Sequence, residues 1–206
     1  MTNSSGSLRP LKLVVLISGS GSNLQSIIDA SAAGTLEAEV SAVISNIESA
    51  YGLERARLSG IDSLTLKILP GESRECYDQR LAAIIRKYSP DLIILAGFMR
   101  ILSAGFIEEF AGCILNIHPS LLPDFKGTNT HQRVLDAGKR EHGATVHVVT
   151  EKLDDGPVIM QARVAVQSGD DAESLRLRVL EQEHVMYPEA ITKYANSRLI
   201  KNKVDR

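Results

Sequence analysis

Aliphatic segments alternate with amphipathic ones through the first 117 residues, and this alternation constrains the fold more than any other feature of the chain. The first aliphatic segment, LKLVVLI, is apolar at nearly every position, as a strand buried on both faces requires. We expect strands at 11–17, 39–45, 62–69, 90–97 and 112–117, separated by helices at 22–34, 51–60, 73–88 and 103–110. Repeated strand–helix–strand units predict an α/β fold with an open, doubly wound and mostly parallel sheet.

The pattern changes after Pro123. Residues 143–150 alternate between polar and apolar, and a second extended segment at 156–166 follows a polar turn, so we expect a C-terminal antiparallel extension of the sheet. A long C-terminal helix is predicted at 171–187, where Pro188 stops or kinks it.

We expect a single domain over residues 11–200. The polar stretch 1–10 is predicted to be a disordered N-terminal tail, and 201–206 a polar C-terminal tail. We find no repeat, low-complexity tract or linker that would divide the chain.

Composition excludes several classes of protein. The 23 basic and 25 acidic residues nearly cancel, which is not the charge pattern of a nucleic-acid binder. The longest apolar run, LIILAGFM, is too short to span a bilayer, and no apolar segment of a secretory signal precedes residue 11. Cys76 and Cys113 fall in a predicted helix and a predicted core strand, which favours a reducing compartment. We therefore expect a cytoplasmic protein with no nucleic-acid or membrane partner.

Polar or glycine-rich segments follow the predicted strands. Four of them, SGSGSN, SN, GFMRIL and NIHPS, lie where strands one, two, four and five end. Ligands bind beyond the carboxyl ends of strands in open α/β sheets. Each segment alone is better explained as an ordinary turn, but the four together favour a binding edge.

The first of these segments is a candidate phosphate site. Gly19 and Gly21 allow the backbone to approach a ligand, and Ser22 or Asn23 is the expected N-cap of a helix whose free amides favour an anion. Leu24 stands where the dinucleotide fingerprint needs its third glycine, and no Gly-Lys precedes the serine as in a nucleoside-triphosphate loop. The site therefore matches neither common type.

The last segment carries an unusual polar pair. Asn116 and His118 are two residues apart, so on a strand their side chains point to the same side, and Pro119 ends regular pairing. His147 lies within an alternating strand and is either a core residue or a partner of the site. Asp154, in a polar turn, is either a solvated loop residue or the carboxylate that holds His118.

The sequence assigns no role in the site to the other three histidines. His184 lies mid-helix and His142 in a charged loop, so structural or solvated roles are expected, and His131 is left undecided.

The chain lacks other familiar catalytic patterns. No histidines or cysteines have zinc-site spacing, and no Gly-x-Ser-x-Gly elbow presents a nucleophilic serine. His, Asn and Asp without a nucleophile favour carbonyl polarisation and proton transfer while two bound substrates react directly.

The chain resembles the phosphoribosylglycinamide formyltransferases of purine biosynthesis from about residue 11 to about residue 199. The resemblance rests on VVLISGSGSNLQ, AVISN, YGLERA, LAGFMRIL, NIHPSLLPDFKG and HGATVHVVTEKLDDGPVI, which occur in the family's order and spacing. It implies a Rossmann-like formyltransferase fold. It also implies formyl transfer from the co-substrate 10-formyltetrahydrofolate to the amine of glycinamide ribonucleotide, without a metal.

The resemblance assigns candidate residues to three groups. The implied catalytic residues are Asn116, His118 and Asp154. The implied ribonucleotide-binding residues are Gly21, Ser22, Asn23, Arg74 and Glu183. The implied folate-binding residues are Met99, Arg100, Ile101, Leu102 and Leu153. Two positions depart from other members: Leu180 replaces a lysine that reaches the phosphate, and Asn129 replaces a histidine.

Three other functions remain open. A formyl-folate hydrolase would share the polar trio but usually carries an additional N-terminal domain. A methionyl-tRNA formyltransferase would need a second, RNA-binding domain. A non-catalytic nucleotide-binding module would need the phosphate loop but not the trio. We expect small-molecule substrates as the partners, and a monomer or weak homodimer.

Overall fold

The computed structural model describes residues 9–204, with side chains described up to residue 197. Most of the predicted N-terminal tail, residues 1–8, lies outside the described residues. Its last two residues are described, and the Arg9 guanidinium pairs with the Asp91 carboxylate at 2.7 and 2.8 Å.

Seven strands and six helices follow one another in the described chain. The strands are β1 (Leu11–Ile17), β2 (Ala38–Ser45), β3 (Asp62–Thr65), β4 (Leu92–Leu95), β5 (Ile114–His118), β6 (Glu141–Val148) and β7 (Val158–Ala165). The helices are α1 (Ser22–Ala32), α2 (Tyr51–Leu58), α3 (Arg74–Tyr88), α4 (Ala104–Glu109), α5 (Thr130–Asp136) and α6 (Ala172–Val204).

The strands form one sheet in the order β3-β2-β1-β4-β5-β6-β7. β1 to β5 run parallel to their neighbours, whereas β6 and β7 extend the sheet in antiparallel pairing. The predicted fold class is confirmed. The chain moves outward from β1 to β3 and then returns to pair β4 with β1, so a crevice between two diverging loops opens at the carboxyl ends of β1 and β4.

Four strands are shorter than predicted: β3 by four residues, β4 by two at each end, β7 by three residues in all and β5 by one. β3 lies at the edge of the sheet and pairs only along Ala42–Ser45 of β2. β4 ends before Gly97, whose φ of 77° is incompatible with an extended strand. The longer loops that result carry part of the candidate site.

Helices cover both faces of the sheet. Leu13, Val15 and Ile17 of β1 face one apolar core, which α1, α2, α5 and α6 complete. Val14 and Leu16 face the opposite core, which α3 and α4 complete. The continuous aliphatic pattern of β1 is therefore explained by burial on both sides.

Helix α6 does not stop at Pro188 but continues to Val204, so the predicted stop is wrong. Proline removes one helical hydrogen bond, at a cost of about 3 kcal/mol in a helix interior. Tyr187, Ala190 and Ile191 on either side are fully buried against the sheet, and this packing offsets the cost. Within the described range, neither α6 nor any other helix combines the length and apolarity needed to cross a membrane.

Candidate active site

Hydrogen bonds tie together the loops that follow β1, β2 and β4. The Ser18 hydroxyl donates to Asn46 Oδ1 at 2.6 Å and accepts from the Met99 amide at 2.8 Å. The Ser18 amide also donates to the Gly97 carbonyl at 3.0 Å. Three of the four segments picked out by sequence therefore meet at one edge of the sheet.

The glycine-rich loop presents an uncapped helix N-terminus. Gly21 is the N-cap of α1, with φ 69°, and no side chain caps the helix, so the expectation of Ser22 or Asn23 as the N-cap is wrong. Only a residue tolerant of the left-handed region fits here. Uncapped first-turn amides, with the positive end of the helix dipole, suit an anion.

Helix α2 holds this loop in place. The Gly52 amide donates to the Gly19 carbonyl at 3.1 Å, and a Cβ on Gly21 would lie 2.6 Å from Gly52 Cα. The Arg55 Nε donates to the Ser20 carbonyl at 2.9 Å. The sequence did not predict that Gly52 and Arg55 support the loop, although both lie in YGLERA, one of the segments on which the family resemblance rests.

Two predicted ribonucleotide-binding residues from distant parts of the chain meet beside the loop. Asn23 Nδ2 donates to Glu183 Oε2 at 2.7 Å, which joins α1 to α6. Glu183 is only 6% exposed, and burial raises the pKa of its carboxyl. Asn23 Oδ1 is buried without a partner among the described residues.

No hydrogen bond or ion pair between described residues joins Arg74 to this cluster, and Arg74 is exposed at the first residue of α3. This helix packs on the opposite face of the sheet from α1 and α6. The role of Arg74 toward the ribonucleotide stays a prediction.

The predicted catalytic residues lie together at the end of β5. His118 Nδ1 is 3.5 Å from Asp154 Oδ2, and both side chains are more than nine-tenths buried. The Phe125 carbonyl is 3.0 Å from His118 Nε2, so this nitrogen carries a proton and donates it. Nδ1 is therefore the nitrogen that gains the second proton, facing the carboxylate. Asp154 also accepts from the Gly127 amide at 2.9 Å.

His147 is a partner of the site and fixes the Asn116 side chain. Its Nδ1 is 3.0 Å from the Val148 carbonyl and must donate, and burial is the main cause of its lowered pKa. The neutral ring therefore offers a lone pair on Nε2, to which Asn116 Nδ2 donates at 3.1 Å. The second N–H of Asn116 remains available to a ligand.

His142 is a strand residue and not the loop residue that its charged neighbours suggested. It lies in β6, is 1% exposed, and its Nε2 is 3.0 Å from His131 Nδ1. Burial, followed by the neighbouring His131, lowers the pKa of His142 to about 4. Between residues 9 and 204, no three His, Cys, Asp or Glu side chains gather as metal ligands would.

Three of the predicted folate-binding residues have exposed apolar side chains. Met99, Ile101 and Leu153 are each more than half exposed. Leu102 is buried, and Arg100 Nε is buried without a hydrogen-bond partner among the described residues. Exposed apolar groups beside a polar cluster are typical of a ligand pocket.

Comparison of the chain with known proteins agrees with this arrangement. Residues 11–191 match the family described as formyl transferase. The chain belongs to this formyl transferase family. It is 51% identical over 189 residues to the phosphoribosylglycinamide formyltransferase of Escherichia coli (strain K12), a match that covers 92% of this chain and 89% of the relative.

Another relative and a solved structure are also similar to this formyltransferase. Identity to the Haemophilus influenzae phosphoribosylglycinamide formyltransferase is 44%, covering 91% of this chain and 89% of the relative. The crystal structure of glycinamide ribonucleotide transformylase 1 from Symbiobacterium toebii superposes with a TM-score of 0.91 at 44% identity, covering 95% of this chain and 94% of that one.

Two glycines of the loop should respond differently to alanine. In Gly21→Ala the new Cβ meets Gly52 Cα and the backbone stays at positive φ, so the free energy of unfolding should fall by about 2 kcal/mol or more. Gly19→Ala is the matched control, because no atom lies within 4 Å of its Cβ, and we expect a change within about 0.5 kcal/mol. Urea denaturation of both variants measures the difference; equal losses would contradict the tight contact with α2.

Glu183→Gln should change how the stability of the formyltransferase depends on pH. Burial raises the folded-state pKa of Glu183 above its ordinary 4.5, so the folded protein resists losing this proton. The wild type should therefore lose stability relative to Glu183→Gln as pH rises from about 4.5 through the folded pKa, and the difference should then level off.

Denaturation midpoints between pH 5 and 8 measure this effect. Glu181→Gln, at an exposed position two residues earlier, is the control and should follow the wild type across the range. A stability difference between wild type and Glu183→Gln that does not vary with pH would show that burial does not raise the pKa of Glu183.

Proposed function

We propose that the protein transfers the formyl group of 10-formyltetrahydrofolate to the amine of N1-(5-phospho-D-ribosyl)glycinamide. The products are formylglycinamide ribonucleotide and tetrahydrofolate, a step of purine biosynthesis. The observation that carries this proposal is the buried pair of His118 and Asp154, with the half-buried Asn116 on the same side of β5 as His118. The names of the similar proteins support the same reaction.

The ribonucleotide occupies the side of the crevice formed by α1 and α6. Its phosphate accepts from the backbone amides of Gly21, Ser22 and Asn23, which have no side-chain cap to compete with it. Glu183, held by Asn23 at 2.7 Å, is the acceptor for the ribose hydroxyls. Arg74, exposed at the start of α3, adds a positive charge for the phosphate.

The folate occupies the opposite side. Met99, Ile101 and Leu153 cover its flat ring system, and burying these exposed side chains contributes to its affinity. Backbone groups of 99–102 read the edge of the ring. The Arg100 guanidinium, stacked on Tyr77, meets the anionic tail.

The formyl group passes directly between the substrates. The amine attacks the formyl carbon, and the electrons of the carbonyl double bond move onto oxygen. The free N–H of Asn116 and the protonated His118 stabilise this oxyanion. The nitrogen then loses a proton, which reaches the folate nitrogen as the carbon–nitrogen bond to it breaks. No metal takes part in this scheme.

Asp154 has two tasks in this step. Its carboxylate lies 3.5 Å from His118 Nδ1 and orients the imidazole ring for this step. It also relays the proton from the attacking amine to the departing folate nitrogen, directly or through water. The Gly127 amide fixes the carboxylate for both tasks.

One assay separates this reaction from the remaining alternatives. Purified protein is mixed with 10-formyltetrahydrofolate, with and without the ribonucleotide, and deformylated folate is followed by absorbance. We expect release only with the ribonucleotide, together with formylated ribonucleotide. Equal release without it would make the protein a hydrolase, and no release in either case would leave only nucleotide binding.

Variants that lack one of the predicted catalytic groups should remain folded but have a much lower kcat. We expect His118→Ala and Asn116→Ala to reduce kcat by about 100-fold or more, because the first removes a positive charge and the second a hydrogen-bond donor that stabilise the oxyanion. Asp154→Asn should have a comparable effect. Asp155→Asn is the matched control, because Asp155 is an exposed neighbour that pairs only with Lys126, and kcat should change by less than about threefold. Near-normal turnover by a folded His118→Ala protein would refute the scheme.

A further inference from the structure

A short segment of unusual backbone adjoins the catalytic cluster. Phe125, Gly127 and Asn129 have φ values of 54°, 80° and 55°, so every second residue lies in the left-handed region. Phenylalanine and asparagine are less stable there than in ordinary conformations, and such residues persist only where neighbouring groups hold them. The segment 125–129 therefore needs an external restraint.

The same segment orients two of the three catalytic side chains. The Phe125 carbonyl accepts from His118 Nε2 at 3.0 Å, and the Gly127 amide donates to Asp154 Oδ2 at 2.9 Å. The first contact decides which nitrogen of the ring carries the permanent proton. The second decides where the carboxylate stands relative to the other nitrogen.

Arg133 supplies the restraint. Its Nη1 donates to the Lys126 carbonyl at 2.6 Å and to the Thr128 carbonyl at 3.2 Å, one on each side of Gly127. Its guanidinium carbon lies 5.5 Å from the centroid of the Phe125 ring. The helix that carries it, α5, is anchored by the fully buried Val134, so the guanidinium is held on a fixed support.

A second contact, the ion pair between Lys126 and Asp155, also joins this segment to the site. The Lys126 ammonium pairs with Asp155, next to the predicted catalytic aspartate, and so holds the segment only through the side chain of Lys126. This ion pair does not hold the Thr128 carbonyl on the other side of Gly127, whereas Arg133 does.

We propose that Arg133 is a positioning residue for formyl transfer, acting through the carbonyl of Phe125 and the amide of Gly127. This inference rests on the proposed function, because it concerns the geometry in which His118 and Asp154 meet the reactants. No hydrogen bond between described residues joins the Arg133 side chain to a predicted catalytic or binding residue. Its loss should affect the rate of the chemical step more than the binding of either substrate.

The test compares Arg133→Met and Arg133→Lys with a matched control. Arg86→Met removes an arginine that pairs with Glu109 on the surface of α3, away from the site. Two quantities are measured on each protein: kcat and KM for both substrates, and the protonation of the His118 ring nitrogens in the ligand-free protein by long-range ¹H–¹⁵N correlation.

In Arg133→Met we expect kcat to fall by about tenfold with KM within about twofold, and the neutral form of His118 to become a mixture of the Nε2–H and Nδ1–H tautomers. Arg133→Lys should recover part of both, because an ammonium can still donate to one of the two carbonyls. The control should match the wild type. Thermal unfolding shows that each protein is folded.

A folded Arg133→Met protein with wild-type kcat and an unchanged His118 tautomer would overturn the proposal. If Arg133→Met does not fold, Arg133→Lys decides in the same way: a lower kcat with altered tautomer supports positioning, and wild-type values overturn it. The tautomer is read without substrates. A wild type that transfers no formyl group would therefore refute the proposed function while the positioning role is still tested.

Discussion

The antiparallel register between β5 and β6 is the constraint on which the site depends. It pairs Asn116 with His147 and His118 with Thr145, so four polar side chains lie on one side of two adjacent strands. Thr145 accepts from the Leu122 amide and donates to the Ser120 carbonyl, which fixes the chain as it leaves β5. A slip by one residue would place valine opposite Asn116 and bring apolar groups to the reacting centre.

The site combines this rigid pair of strands with strained loops. Asp154 has φ 49° and Phe125 has φ 54°, conformations that side-chain-bearing residues seldom adopt. The two residues contact His118 from different loops, and each loop is bonded to the other through Gly127 and Asp154. Strain at such positions is tolerated because the surrounding bonds determine the backbone, and it aims polar groups that a relaxed loop would direct elsewhere.

The sequence alone was sufficient where short-range periodicity carries the information. The aliphatic runs predicted the doubly wound sheet, and the two-residue spacing of Asn116 and His118 predicted a shared side of a strand. It was insufficient where distant groups decide. The charged neighbours of His142 suggested a loop, but β6 begins at Glu141 because β7 pairs with it there. Pro188 suggested a helix end, but burial of the flanking residues keeps α6 continuous.

Contacts made by small or long side chains were the hardest to predict. Nothing in the local pattern shows that Gly52 packs on Gly21, or that Arg133 reaches over Gly127 to two carbonyls. The neutral state of His147 likewise follows from its burial and from the Val148 carbonyl, which only the folded chain brings to its ring. These contacts depend on tertiary structure, and they are the ones that set the geometry of the site.

Both substrates should bind in one crevice, with the predicted catalytic cluster between them. A crystal structure with the ribonucleotide and a folate analogue that lacks a transferable formyl group tests it most directly. We predict that the phosphate contacts the amides of Gly21, Ser22 and Asn23. The amine should lie about 3–3.5 Å from the position of the formyl carbon, with the formyl oxygen facing Asn116 and His118. A phosphate bound elsewhere, or an amine remote from that cluster, would contradict the account.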